Sequence, residues 1–160
     1  MLEEKYKFYL SFENSICEDY ITEKVWNILK LDIVPVVLGG ADYASLLPPH
    51  SYIDVANFTS PKALAAYLKQ VANDDDLYRS YFRWKREYFI ASSRLDATCS
   101  LCKVLNDPRD KTRTIASFNE FWSSKKHCRT AKEYFSVFMN TTPKWVWIKL
   151  VITHLNYSSL

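Results

Sequence analysis

The apolar run Ile33-Val34-Pro35-Val36-Val37-Leu38 constrains this chain more than any other segment, because it has no polar face to turn toward water. A run this short and nearly continuous reads as a strand buried on both faces, the pattern of a parallel sheet covered by helices. Upstream, Tyr6-Lys7-Phe8-Tyr9-Leu10-Ser11-Phe12 is aromatic and strand-like, and between the two runs Ile21, Val25, Ile28 and Leu29 recur at helical spacing. Strand, helix and strand make a βαβ unit, so the two strands are expected to pair in parallel. Pro35 is admissible only near a strand start or at an edge, since it brings no N–H to the ladder.

Both glycines of the chain, Gly39 and Gly40, follow this strand directly. Their placement predicts a turn whose backbone takes a positive φ or passes close to a ligand, at the carboxyl edge where open α/β sheets bind. A plain strand-to-helix turn is the alternative. Further on, Pro48-Pro49 marks a loop, Tyr52 to Val55 a third short strand, and Ser60-Pro61 the capped start of a helix running to about Ala72. The segment from Asn73 to Asp76 breaks that helix and caps another, on which Leu77, Tyr81, Trp84 and Tyr88 form an aromatic stripe read as core. Residues 91–117 read as a loop-rich wrap, and Phe118 to Trp122 as a short docking helix.

The chemistry concentrates where the first strand passes into the helix. Phe12-Glu13-Asn14-Ser15 and Asp19-Tyr20-Ile21-Thr22-Glu23-Lys24 bring an amide, a phenol, a carboxylate and an ammonium to one junction. With Asp19 as N-cap, Tyr20, Glu23, Lys24 and Asn27 fall at i, i+3, i+4 and i+7 and share a polar face. Unpaired N–H groups at the helix start and the Lys24 ammonium suit a phosphate. Glu23, which a diphosphate would repel, suits the hydroxyls of a ribose or another sugar. A capped surface helix with a neighbouring Glu-Lys pair has the same spacing.

These residues resemble the signature of the α1,3-fucosyltransferase family: Tyr9-Leu10-Ser11-Phe12-Glu13-Asn14-Ser15, then Asp19 to Lys24. The likeness continues through Val34-Pro35-Val36-Val37-Leu38-Gly39, Tyr52-Ile53-Asp54-Val55, Phe58-Thr59-Ser60-Pro61 and Tyr81-Phe82-Arg83-Trp84, dense over residues 6–90 and thinner beyond. It implies an α/β fold, a Rossmann-like parallel sheet flanked by helices, as one half of a two-domain glycosyltransferase of the GT-B type. Residues 1–125 would form the GDP-fucose donor-binding domain and 126–160 a divergent tail. Donor-binding positions are implied at Asn14, Tyr20, Glu23, Lys24 and Tyr9: Lys24 and Tyr20 on the phosphates, Glu23 on the ribose, Asn14 near the pyrophosphate or fucose, and Tyr9 near the guanine. The implied reaction is inverting transfer of L-fucose from GDP-fucose to N-acetylglucosamine of a glycan acceptor in α1,3 linkage, with no cofactor and no divalent metal. In the family, the general base and an arginine that reaches the pyrophosphate belong to the amino-terminal half, so no catalytic residue is assigned here. A nucleotide- or sugar-binding module without turnover, and a purely structural α/β domain, are the alternatives.

At 160 residues and 48% hydrophobic, the chain can bury one substantial core. Its net charge of +3 is mild and its cations are scattered, which argues against a nucleic-acid partner. Dinucleotide, Walker and His-Glu-x-x-His motifs are absent, and a triad is hard to build from His50, His127 and His154, which fall in a proline loop, a basic segment and the tail, where exposure is the default. Cys99, Cys102, His127 and Cys128 include one Cys-x-x-Cys, but an adjacent His-Cys chelates zinc poorly, so Cys99, Cys102 and Cys128 are taken as disulfide candidates in an oxidising compartment. In some members of the family the carboxy-terminal Cys-x-x-Cys is tied to cysteines of the amino-terminal region. Asn57, Asn140 and Asn156 begin glycosylation sequons. The resemblance implies the Golgi lumen, with membrane association only through an amino-terminal anchor outside this sequence. The apolar stretch from Trp145 to Leu155 is too short to span a bilayer, for which roughly 20 apolar residues are needed, and it leaves helix and strand equally open.

Overall fold

A computed structural model describes residues 4–91, 94–107, 114, 116–118 and 127–129. Strand β1 (Phe8–Phe12) leads through the short β2 (Ile16–Cys17) into helix α1 (Glu23–Leu29), and the chain returns as β3 (Val34–Leu38). β1 and β3 pair in parallel, from Phe8 opposite Val34 to Phe12 opposite Leu38, as the βαβ pattern predicts. After a short helix α2 (Tyr43–Leu46), β4 (Ile53–Asp54) joins β3 in parallel through Val36 and Val37. The sheet order is β1-β3-β4, with β3 in the centre.

Every side chain of β3 is buried, and the alternation of the strand divides them between two cores. Val34, Val36 and Leu38 pack with Phe12, Ile53, Leu64, Leu68 and Val71 on one face. Val37 packs with Val25, Leu29, Tyr43 and Trp84 on the other. Two covered faces are the reason the run carries no polar residue. Pro35 is tolerated because the Val34 N–H donates to the Lys7 carbonyl, at 3.0 Å on the β1 side. The Pro35 nitrogen therefore faces the β4 side, where pairing begins only at Val36.

Helix α3 (Pro61–Asn73) starts where the sequence places it: the Ser60 side chain accepts the Ala63 N–H at 3.0 Å, Pro61 occupies the first turn, and Leu64, Ala65, Leu68 and Val71 bury one face. The aromatic stripe expected on a single helix is instead divided between α4 (Asp75–Ser80) and a 3-10 turn at Arg83–Arg86. Here Phe82 N–H bonds to the Arg79 carbonyl and Lys85 N–H to that of Phe82, the tighter three-residue pattern. The tightening lets Tyr81 enter one core and Trp84 the other, while Tyr88 stays exposed, so the stripe is core only in part. A second correction falls at Arg94–Leu105, which forms α5 and not the loop-rich wrap expected of 91–117. Leu101, Val104 and Leu105 on this helix are exposed. Of the docking helix expected at Phe118 to Trp122, only Phe118 is described, and it is exposed. Asn140, His154, Asn156 and the Trp145 to Leu155 stretch lie outside the described residues. No helix among the described residues is long and apolar enough to cross a membrane.

The amino-terminal edge of the sheet is closed by side chains that bond to backbone. The Tyr78 hydroxyl is shared between the carbonyls of Lys7 (3.2 Å) and Asp32 (3.0 Å), and Lys85 Nζ donates at 2.7 Å to both the Leu31 carbonyl and the Asp32 carboxylate. Burial, with the Asp32 charge adding, pushes the Tyr78 phenol up to about 12, so it remains a donor at neutral pH.

The turn at Gly39-Gly40 serves close approach, though not in either of the ways expected. Neither glycine has a positive φ. Close approach is the reason for both, and the close partner is the protein itself: a Cβ on Gly40 would lie 2.5 Å from the Cys17 carbonyl oxygen and 2.8 Å from its nitrogen. Because those are backbone atoms of β2, they cannot swing aside. Gly40→Ala is therefore expected to destabilise the fold by roughly 2 kcal/mol or more, against about 1 kcal/mol for loss of the cap in Ser60→Ala. Urea unfolding measures both, and a Gly40→Ala protein as stable as the parent would contradict the packing of β2 on this turn.

Candidate functional site

Glu13 stands at the carboxyl edge of the sheet, its N–H donating to the Leu38 carbonyl at 2.8 Å. Its carboxylate is buried, with the side chain 1% exposed. Oε1 accepts the Thr22 N–H at 2.8 Å, while Oε2 accepts the Thr22 hydroxyl at 2.8 Å and Lys24 Nζ at 3.1 Å. Lys24 Nζ also donates to Thr22 Oγ1 at 3.1 Å, and the Ser11 hydroxyl reaches the Lys24 carbonyl at 3.4 Å. A carboxylate just past the end of β1 thus takes one of the backbone N–H groups at the start of α1.

This arrangement displaces Asp19 from its expected role as N-cap. The N-cap is Thr22, whose own side chain makes no cap bond, and Asp19 lies three residues earlier with a φ of 56°. Asp19 occupies a turn closed by the Tyr20 N–H on the Cys17 carbonyl at 3.3 Å, a left-handed position that Asp tolerates better than most residues. The Thr22 N–H at the head of α1, a candidate for phosphate in the sequence, is taken by Glu13. Glu13 is the residue of this junction that spacing arguments pass over. Its signal is a charged group at the end of an otherwise apolar strand, where burial demands a partner.

Lys24, Tyr20 and Glu23 are brought together. The Glu13 hydrogen bond holds the Lys24 ammonium above its usual range despite an opposing desolvation effect, and the charges of Glu23 and Tyr20 act on it in the same direction as Glu13. Glu23 and Asn14 are exposed and Tyr20 is half-buried, with Asn14 following Glu13 at the same edge. Tyr9 is not brought to this group. It lies opposite Pro35 in mid-strand, about 10 Å short of the strand end at the usual rise per residue.

Beside Glu13, across Gly39, opens a cavity of about 260 Å³ lined by the Gly39-Gly40 turn, Tyr43, Asp54 and the segment His127 to Arg129. That segment carries β5 (Cys128–Arg129), which pairs antiparallel with β2. The Cys17–Cys128 disulfide and the Glu18 N–H on the His127 carbonyl at 2.8 Å fasten the two together. Burial raises the Asp54 carboxyl above its ordinary value, opposed by the Ala56 N–H that its Oδ1 accepts at 2.8 Å.

The cysteine pairing differs from the candidates in two respects, the partner of Cys128 and the state of Cys99 and Cys102. Cys128 is bridged, but to Cys17, which lies 111 residues away and outside any Cys-x-x-Cys, so spacing could not have found it. Cys99 and Cys102 are exposed free thiols on α5. With the Cys128 sulfur in a disulfide, the four-residue zinc set cannot form. Asn57 is exposed on the 3-10 turn Val55–Asn57.

A parallel sheet covered on both faces, with polar side chains and a cavity gathered at the carboxyl ends of its strands, defines an α/β half-domain of the kind that holds ligands at that edge. The family described as "Glycosyltransferase family 10 (fucosyltransferase) C-term" matches residues 1–122, and the chain belongs to it. It is 47% identical over 124 residues to Alpha-(1,3)-fucosyltransferase C of Drosophila melanogaster, covering 76% of this chain and 29% of that protein. Against Glycoprotein 3-alpha-L-fucosyltransferase A of the same organism it is 41% identical over 135 residues, covering 81% and 26%. Against 4-galactosyl-N-acetylglucosaminide 3-alpha-L-fucosyltransferase 9 of Mus musculus it is 38% identical over 148 residues, covering 88% and 33%. The chain spans a third or less of the length of these relatives.

Peptide mapping without reduction should recover Cys17 and Cys128 in one linked fragment. Native alkylation should then modify Cys99 and Cys102 and spare the other two; labelling of Cys17 in the oxidised protein would contradict the bridge.

Proposed function

We propose that this chain is the donor-binding half of an inverting fucosyltransferase, holding GDP-fucose at the carboxyl edge of its sheet for transfer of L-fucose to N-acetylglucosamine of a glycan in α1,3 linkage. The observation that carries this reading is the Lys24 ammonium, fixed by Glu13 and Thr22 beside Tyr20 and Glu23 at that edge. Two of its N–H groups have partners among the described residues, Glu13 and Thr22, and the third would serve a phosphate oxygen. Lys24 and the Tyr20 hydroxyl would stabilise the charge that gathers on GDP as fucose departs, an electrostatic contribution that calls for no divalent metal. Glu23, exposed and one residue away, would take the ribose hydroxyls, and Asn14 would act near the pyrophosphate or fucose. Tyr9 would reach the guanine only if the base extends back along β1.

Inversion needs a carboxylate general base on the far side of the fucose. In this reading the base, and an arginine for the pyrophosphate, come from beyond this chain, so these 160 residues bind the donor nucleotide without turning it over. The Cys17–Cys128 disulfide and the exposed Asn57 sequon support a Golgi-lumenal setting. Membrane association would come only through an amino-terminal anchor.

Calorimetric titration of the chain with GDP is expected to show binding that is unchanged by EDTA. It should weaken by about tenfold or more in Lys24→Ala, with the circular dichroism spectrum retained. Because the folded-state Lys24 value is raised above 10.5, the ammonium contribution is whole below that pH and is lost only as pH climbs through the higher folded value. Affinity should accordingly show no lysine titration between about pH 7.5 and 9.5. A folded sample that takes up no GDP would sink the reading.

A further inference from the structure

We infer that Glu13 is the positioning residue of this site: its buried carboxylate holds the Lys24 ammonium where the remaining N–H can meet a diphosphate. The inference rests on the donor-site reading above and adds to it a residue that would touch no substrate.

A carboxylate beside an anion-binding site poses a problem of sign. By charge alone Glu13 should weaken a diphosphate, and its removal should strengthen binding. The geometry points the other way. Glu13 is fixed from both ends, its N–H on Leu38 and its Oε1 on the Thr22 N–H, so its Oε2 is a stationary acceptor. The Lys24 ammonium, on a flexible four-carbon stem, is tied to that acceptor at 3.1 Å and to Thr22 Oγ1 at 3.1 Å. The Thr22 hydroxyl has one proton to give, and it accepts from Lys24 while donating to Glu13, so the three groups form a closed ring of bonds. The Lys24 side chain is 26% exposed against 1% for Glu13, so the ammonium and not the carboxylate is the charge that solvent or a ligand can reach.

A released Lys24 has another destination. Glu23 is adjacent, exposed and already acts on the ammonium by its charge. Without Glu13, Lys24 would turn toward Glu23 or solvent, losing its aim at the phosphates and occupying the carboxylate meant for the ribose. Rotamer freedom regained by a long side chain would oppose its return. Loss of position then outweighs the gain of one unit of positive charge.

The deciding experiment is titration of the 160-residue chain and its Glu13→Gln variant with GDP and, separately, with guanosine, which has no phosphate. GDP binding is expected to weaken by about tenfold in Glu13→Gln, the scale of one charge-assisted hydrogen bond, with guanosine binding within about twofold of the parent. In a Lys24→Ala background the same substitution should have little further effect, because Glu13 acts through Lys24. Thr22→Val, which removes the bridging hydroxyl without altering charge, should weaken GDP by about threefold and spare guanosine. If Glu13→Gln does not fold, Thr22→Val decides by the same readout. Tighter or unchanged GDP binding in the deciding variant overturns the inference and leaves the donor site standing, as does an equal loss for guanosine. A parent chain that binds no GDP overturns both.

Discussion

Five consecutive residues without access to water, Val34 to Leu38, fix where every other element can go. A strand with no polar face must be covered on both sides and paired on both edges. α1 and α3 supply the covers, and β1 and β4 the edges. Once the lateral directions are filled, only the two ends of the strand remain for chemistry. At one of those ends Gly40 then lets β2, and Gly39 the Tyr43 hydroxyl, approach to distances that a Cβ would forbid.

The two ends are treated differently. At the amino-terminal edge Tyr78, Lys85 and Lys7 all reach backbone carbonyls, so the polar ends of the strands and helices there are satisfied by the protein. At the carboxyl edge the polar groups also satisfy one another, but through a ring that leaves one ammonium facing outward. A buried carboxylate such as Glu13 is strongly destabilising once unpaired, whereas the partly exposed Lys24 can return to water. The pair is therefore asymmetric: loss of Lys24 takes a counter-charge from a buried carboxylate that Thr22 still hydrogen-bonds, and loss of Glu13 frees a charge that water can reach. Stability and function draw on the same bond from opposite sides.

Much of this fold is legible in the sequence because its signals are local. Val34 to Leu38 declares a covered strand, Ser60-Pro61 a helix start, and Tyr52 to Val55 a strand, each within one window of the chain. Errors arise where one residue has two local options and a distant partner decides. Asp19 could cap a helix or enter a left-handed turn, and Glu13, on another element, takes the capping work and leaves Asp19 to the turn. The stripe from Leu77 to Tyr88 has helical spacing, yet the chain there must serve cores on both faces of the sheet, and a continuous helix cannot turn Tyr81 and Trp84 to opposite sides. α5 carries exposed apolar residues on its described turns, so its periodicity has no buried face to reveal it. Cys17 and Cys128 meet only through the fold. Tyr20 and Glu23 both act on Lys24 by their charge, but not through the shared helical face expected, because α1 begins at Glu23 and leaves Tyr20 in the turn before it; Tyr9 lies back along the strand.

The charge at the carboxyl edge also bears on how much of the reaction this half can support. A departing GDP carries more negative charge than one ammonium can match, and the Lys24 charge is already largely met by the buried Glu13 carboxylate. Glu23, Glu18 and Asp54 add further carboxylates around the same edge. On the donor-site proposal such a surface would orient a diphosphate through Lys24 and Tyr20, while the separated charge of transfer would call for more positive charge than Lys24 supplies. A second source of positive charge, brought up against this edge when the donor binds, would supply the missing term. On the same proposal, that requirement would put the site at an interface and make Lys24 a directional contact, with bulk neutralisation left to a facing group.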